Sequence, residues 1–505
     1  MELQFNIPPL FIATIFFVLF IITHFKISKS HNNNSIKLPP QPRKLPLIGH
    51  LHHLSRGLPH HALGTVANKF GPIVGLHLGE ISTVLISSPT LAKEILKTHD
   101  LAFASRPKMI SGEIIGYNYK DIAACPYGDY WRQMRKICVL ELLSTKKVQS
   151  FHSVREQESW NLVESVTKQT SKTIKLNENI LLLTNNILCR VSVGSICKDQ
   201  KLLVALFKEF LSYTAGFDAS DLFPSIKLLH LITGTRNKLL KIRTKIDKIL
   251  DNFISGHQER RAGAQSRHNE DLLDVLLRLK DDGGLELPLA SDNVKAVIID
   301  MLLAGTDTSS STIDWAMSEL IKNPRVMKKL QDELRQTFKG KKKIYESDIQ
   351  ELVYLKQVIK ETLRLHPPAP LLLPRLSREN CEIGGYHIPA NTTIIINAWK
   401  IGRDPDYWTD PESFVPERFT ENSFSNMITK DFEYLPFGGG RRVCPGMSMG
   451  LANVELPLAT LMYHFDWDLP KGVTSENLDM TESFGATVCR KTDLLLVPTL
   501  YNTNQ

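Results

Sequence analysis

The chain has 505 residues and a formal net charge of +8 that is spread along it, with no zinc-finger, RNA-binding or basic-region pattern, which argues against a nucleic-acid partner. Its 42% apolar and 23% charged content is ordinary for a globular protein, and no internal repeat or long low-complexity tract appears. The seven cysteines, Cys125, Cys138, Cys189, Cys197, Cys381, Cys444 and Cys489, are odd in number and scattered, so neither a disulfide framework nor a structural zinc site is indicated.

From Phe5 to Phe25 the chain carries no Asp, Glu, Lys or Arg and is mostly apolar. At ~1.5 Å per residue, ~20 residues span the ~30 Å hydrocarbon core of a bilayer. A cleaved signal peptide is the competing reading, but only Glu2 precedes the run while Lys26, Lys29, Lys37, Arg43 and Lys44 follow it. An N-terminal transmembrane helix over residues 1–28 is expected, with the bulk of the chain in the cytosol. The sequons at Asn33 and Asn391 then never meet the lumen. Residues 29–49 form a basic, proline-rich hinge, in which Pro39, Pro40, Pro42 and Pro46 stiffen the chain ahead of Gly49. Residues 50–505 form the main domain.

Within that domain the periodicity predicts strands at 74–78 and 83–87, turned by Gly79-Glu80. Helices are predicted over 89–100, 128–143, 147–168, 236–261, 270–280, 291–322, 325–337 and 346–365. The helix at 291–322 is read as capped by Ser291 or Asp292 and ended by Asn323-Pro324. A polar stretch near 260–271 reads as an exposed loop, and a second small strand region lies around 382–397. Residues 403–443 are irregular and rich in Pro, Gly and aromatics, and a last helix runs from Met447 to Tyr463. The fold class is mainly α with small β-sheets (α+β).

The irregular segment ends in Phe437-Gly438-Gly439-Gly440-Arg441-Arg442-Val443-Cys444-Pro445-Gly446. Glycines let a backbone come close to a flat ligand, and a cysteine just before a helix start sits where backbone N–H groups stabilise a thiolate. A lone cysteine is ordinarily inert packing; the glycines, the aromatic seven residues before it and the arginine two residues before it argue otherwise here.

This motif, Phe-x-x-Gly-x-Arg-x-Cys-x-Gly, resembles the haem-binding loop of cytochromes P-450. The chain from about residue 37 onward is similar to plant microsomal (A-type) members, most of all to sesquiterpene hydroxylases. The stretches THDLAFASRPK, CPYGDYWRQMRKICVLELLS and EYLPFGGGRRVCPG carry that similarity. Gln41 departs from it, standing where the hinge usually has glycine. The resemblance implies the cytochrome P-450 fold, haem b as cofactor, Cys444 as the thiolate ligand of the iron, Phe437 packed near it, and Arg442 on a haem propionate. By the same resemblance Trp131, Arg135 and Arg375 lie near the propionates, where converging arginines suit two anions. Ala304-Gly305-Thr306-Asp307-Thr308 matches the family's oxygen-side helix, with Thr308 as the alcohol that orders proton delivery and Asp307 as its acidic partner. Glycine and threonines in mid-helix weaken the local ladder, which would open room for dioxygen and water. Glu361, Arg364 and Arg418 match a structural Glu-Arg-Arg network.

The implied reaction is hydroxylation of a bulky hydrophobic plant metabolite, with NADPH supplying electrons through NADPH-cytochrome P-450 reductase, cytochrome b5 as a further donor, and O2 supplying the oxygen. Arg132, Lys136 and Arg441 are candidates for the reductase's docking face. The pocket placed by similarity contains Ile114, Ile298, Met301, Ala304, Leu371 and Phe484, an apolar set that favours a weakly polar substrate. A terpenoid, sesquiterpene or diterpene, is expected, with an indole alkaloid or a phenolic or flavonoid as the alternative. Two other classes, a haem-thiolate isomerase and a haem sensor, have no need of the Asp307-Thr308 pair. The implied location is the endoplasmic reticulum membrane.

Overall fold

Val74, Leu76 and Leu78 alternate with less apolar positions, and in the computed structural model Ile73–Leu78 pairs antiparallel with Ile81–Ile86. Gly79 turns the hairpin at φ +62°, a region where a side chain is strained. The structure describes residues 37–214, 217–262, 270–419, 432–483 and 485–501. The expected membrane anchor lies outside them, and among the described residues no helix is long and apolar enough to cross a membrane.

The hairpin is one edge of a four-stranded sheet. Ile81–Ile86 runs parallel to Thr393–Ile396, with Thr83 opposite Thr393 and Ile86 opposite Ile396, and Arg375–Leu376 closes the other edge antiparallel. Residues more than 300 apart thus share one small sheet. Cys381–Ile383 and Tyr386–Ile388 form a separate hairpin. Leu495–Leu500 pairs with both Ile174–Lys175 and Phe465–Asp468, tying the carboxyl-terminal strand to the helical body.

That body is built on Ser291–Lys322, whose predicted bounds match those observed. Its cap differs: Ala290 holds the N-cap position and donates its N–H to Asn293 Oδ1 at 2.7 Å, so neither Ser291 nor Asp292 caps it. Pro324 opens the next helix, Pro324–Thr337, where its missing N–H costs nothing. Asp271 and Asp274 cap Leu272–Asp282 reciprocally, each accepting the other's backbone N–H at 2.9 and 3.4 Å. The predicted helix 147–168 is two, Thr145–Ser150 and His152–Thr167, and the one expected from 346 begins at Val353 after a single tight turn. Among the helices not anticipated are Pro59–Phe70, Leu176–Val193 and Gln200–Tyr213. The main apolar core lies between Ser291–Lys322, Leu176–Val193, His152–Thr167 and Met447–His464, while smaller clusters flank the sheet.

Candidate active site

The cysteine loop is fastened by its own backbone. Cys444 N–H donates to the Phe437 carbonyl at 3.0 Å, and Val443 N–H to that of Gly440 at 3.0 Å. Gly438 and Gly440 sit at φ +68° and +65°. At Gly440 a side chain would also collide with the Leu96 carbonyl and the Asp100 carboxylate, so only glycine fits. The Cys444 side chain emerges half-buried at the start of Met447–His464, where it accepts from the Gly446 N–H. Burial pushes its thiol pKa up, while that N–H and the nearby Arg135 guanidinium pull it down.

Beside the loop, buried guanidinium groups gather. Arg442 donates to the carbonyls of Ala104 (2.7 Å), Ile122 (3.2 Å) and Cys125 (2.6 Å), with its plane 4.2 Å from the Trp131 ring centroid. Trp131 Nε1 in turn donates to Ile122 O at 3.2 Å. Arg375 bonds the Gly439 carbonyl at 2.6 Å and Asp100 at 3.2 Å. A third, Arg106, was not singled out in the sequence, although it stands within the FASRPK stretch; it donates to Ala123, Leu373 and Pro374 carbonyls at 3.0, 2.7 and 2.8 Å. Burial lowers the pKa of Arg442 to about 10, and the charges of Arg375 and Arg135 push the same way. A group with two anionic arms fits this setting, because it neutralises buried cations that otherwise repel one another.

The opposing wall is Ser291–Lys322. Although Leu302, Thr306 and Ser309 are buried, Ala304 is exposed and Thr308 only half-buried, so one stripe of this core helix is left uncovered. Thr308 Oγ1 donates to the Ala304 carbonyl at 2.7 Å, the competition with the ladder that the sequence suggested, yet the helix runs unbroken. Gly305 has a different use: a Cβ there would lie 2.7 Å from Leu188 Cδ1, so the glycine admits the neighbouring helix. Asp307 faces away from Thr308. Its carboxylate bonds Thr487 of the carboxyl-terminal loop, with Lys208 nearby, and burial raises its pKa.

Of the expected pocket residues, Ile114, Ile298 and Met301 share the main helical core, and Leu371 packs against the sheet-side cluster instead. Ala304 is on the uncovered stripe of the long helix, and Phe484 lies outside the described residues. Glu361, Arg364 and Arg418 meet: Arg364 holds both Glu361 oxygens, at 2.7 and 2.8 Å, and Arg418 Nε donates to Oε1 at 3.0 Å. Arg364 also bonds the carbonyls of Gly402, Pro411 and Ser413, fixing the irregular segment to helix Val353–Leu365.

The family described as Cytochrome P450 matches residues 39–496. The chain is 52% identical to premnaspirodiene oxygenase of Hyoscyamus muticus over 493 residues, 97% of this chain and 98% of that one. It is 53% identical to germacrene A hydroxylase of Saussurea costus over 499 residues, covering 99% and 100%. With desmethyl-deoxy-podophyllotoxin synthase of Sinopodophyllum hexandrum it shares 52% over 496 residues, 97% of each chain. Among solved structures, a zebra fish cytochrome P450 with abiraterone superposes at TM-score 0.75 and 23% identity, over 88% of this chain and 99% of that one.

Proposed function

The chain belongs to the cytochrome P450 family, and from that premise we propose that it hydroxylates a bulky apolar terpenoid, a sesquiterpene or diterpene, as a haem-thiolate monooxygenase. The observation that carries this reading is the fastened, half-buried Cys444 loop, with its attendant arginines, in a chain that matches terpene oxygenases over nearly its whole length. One atom of O2 enters the substrate and the other leaves as water, with two electrons supplied by NADPH through a reductase. When bound, the haem supplies oxygen activation and transfer.

The residues divide the remaining work. Cys444 would hold the haem iron through its thiolate, which the Gly446 N–H and the Arg135 charge stabilise, with Phe437 at the head of its loop. Arg442, Arg375 and Trp131 are assigned to the propionates, and Arg106 joins them. The Thr308 hydroxyl is assigned to moving the proton at the open stripe of the long helix. Asp307, whose carboxylate bonds Thr487 and not Thr308, is assigned as the acid behind it, not in direct contact, and its raised pKa makes it a better proton source than an ordinary carboxylate. Glu361, Arg364 and Arg418 hold the loop and take no part in the chemistry. Ile114, Ile298, Met301, Ala304, Leu371 and Phe484 are assigned to the substrate pocket.

The same reading places residues 1–28 in the endoplasmic reticulum membrane, residues 29–49 as hinge and residues 50–505 in the cytosol, with cytochrome b5 as a second electron donor. The test is oxidation by microsomes holding the full chain and a plant reductase, given NADPH and labelled O2. Sesquiterpene and diterpene hydrocarbons, indole alkaloids and flavonoids are offered in parallel. One labelled oxygen in a terpene product is expected. Product from alkaloids or flavonoids alone overturns the substrate class, and product without NADPH overturns monooxygenation.

A further inference from the structure

His60 and His61 are adjacent on helix Pro59–Phe70, and successive helix residues ordinarily point ~100° apart. Here both rings aim Nε2 at one atom: His60 stands 2.9 Å and His61 3.1 Å from Oε2 of Glu482. The three ligand atoms all lie within 4.8 Å of one another. His60 and Glu482 are buried, at 3% and 9% side-chain exposure, while His61 at 44% leaves a path to solvent.

The surroundings hold this arrangement rigid. The buried Asn397 amide donates to the His60 carbonyl at 2.9 Å. The Trp399 ring lies against both imidazoles, with centroids 5.5 and 4.5 Å away. Glu482 is fixed by its backbone bridge to Arg490. Arg403 stacks on the far ring at 4.5 Å, and its charge is balanced by Glu412 at 3.1 Å. Without a metal, one oxygen must accept two N–H donors.

We propose that His60, His61 and Glu482 form a divalent transition-metal site suited to zinc, separate from the haem site. Two neutral imidazoles and a carboxylate with an open fourth position are borderline ligands of the kind zinc takes. Ligand atoms ~2.0–2.1 Å from a tetrahedral zinc stand ~3.3 Å apart, so the two nitrogen–oxygen spacings of 2.9 and 3.1 Å need to widen by only a few tenths of an ångström, and the two nitrogens already lie within 4.8 Å of each other. Occupancy has a consequence for the active site. Glu482 stands five residues before Thr487, which bonds Asp307, and the Val488 carbonyl beyond it accepts from Ser311 Oγ at 3.0 Å and Trp315 Nε1 at 3.3 Å. A metal would therefore staple this loop to the sheet-side helix Pro59–Phe70.

The probe is zinc chloride, titrated calorimetrically into the full-length holoenzyme carrying no histidine tag. One zinc per chain is expected. Affinity should fall at least tenfold in His61→Ala and in Glu482→Gln, and stay unchanged in His152→Ala, which removes an exposed histidine paired only with Glu156. Hydrogen exchange should slow at the Ser483 and Lys491 amides, which bond Cys489 and Thr481 across the loop, on zinc addition to the parent chain and not to His61→Ala. Should Glu482→Gln fail to fold, the half-exposed His61→Ala decides alone. Absence of saturable binding at one equivalent, or equal affinity in His61→Ala, overturns the proposal. Neither readout depends on what the enzyme oxidises.

Discussion

Thr308 shows how a single side chain serves two purposes. By donating to Ala304 O at 2.7 Å its hydroxyl is held in one rotamer, and its lone pairs are left facing the open stripe of the helix. Thr308→Val keeps the shape and removes the proton. The carbon monoxide spectrum should be retained while product formed per NADPH consumed falls several-fold, and Thr308→Ser should restore most of it; unchanged coupling in the valine variant would remove Thr308 from proton delivery. His464 argues at the same scale for stability. It is buried beneath Trp160 and Tyr463, its Nε2 has no hydrogen-bond partner among the described residues, and burial lowers its pKa from 6.5 to about 4. The unfolded chain therefore takes up this proton first as pH falls, so the stabilisation is complete above pH 6.5 and is lost progressively toward pH 4. The loss is at most about 3 kcal/mol. His464→Phe, which keeps an aromatic ring against Trp160, should flatten the melting temperature between pH 6.5 and 4 relative to the parent. Residues of this kind differ in how far sequence reveals them. Cys444 is legible because its signal is local, with glycines, arginine and cysteine inside ten positions. Arg106 is not, because an isolated arginine reads as surface until the fold wraps three distant carbonyls around it.

At the scale of elements, the same logic separates what periodicity predicts from what it misses. Ser291–Lys322 is legible from the proline that follows it and from its length, whereas Leu176–Val193 lies between other helices and is buried on several faces, so its apolar residues show no single stripe. Gly305 illustrates the cost of reading one helix alone: as sequence it weakens a ladder, while in the fold it makes room for Leu188 of that unanticipated neighbour. Gly305→Ala gains about 1 kcal/mol in helix propensity but presses a methyl group into a closed interface, where overpacking costs about 1–3 kcal/mol. The variant should be less stable in urea. Leu188→Ala alone should also be destabilised, by about 2–4 kcal/mol, and the double variant should be more stable than the two losses added together. Additive losses would mean that the two helices relax apart independently. The Glu361 network joins elements in another way. A carboxylate fully buried between Arg364 and Arg418, and also accepting the Val415 N–H at 2.8 Å, is an anion holding helix Val353–Leu365 to the segment before the cysteine loop. Breaking a buried pair from one side costs about 3–5 kcal/mol. Glu361→Gln should therefore lower the thermal midpoint sharply and diminish the haem recovered with the protein, with no change in turnover per haem that remains.

At the scale of the whole molecule, one group of the exposed apolar side chains gathers around the hairpin turn. Leu47 (81% exposed) and Ile48 stand beside the hairpin turn, whose Gly79 N–H reaches the Ile48 carbonyl at 3.4 Å. Glu80 joins that turn to the next segment, its N–H on the Leu222 carbonyl at 2.9 Å and its carboxylate on Ser225 N–H at 2.9 Å. From there Ile226, Leu228 and Ile232 (70% exposed) continue the apolar surface, with Arg43, Lys44 and Lys227 also exposed nearby. Exposed apolar patches rimmed by cations suit the interface of an anionic bilayer. Because Leu47 also lies in the proline-rich hinge that follows the proposed anchor, the body should rest on the membrane by this face even without residues 1–28. Burying a Leu or Ile side chain contributes about 1.5–3 kcal/mol, so three removed together should shift partitioning by well over tenfold. A chain lacking residues 1–28 should still cosediment with vesicles of mixed phosphatidylcholine and phosphatidylserine. Adding Leu47→Ser, Leu228→Ser and Ile232→Ser should release it to the supernatant with its carbon monoxide spectrum intact. Cosedimentation that survives the three serines would place the membrane contact elsewhere, and a shortened chain that never binds vesicles would leave the anchor as its sole attachment.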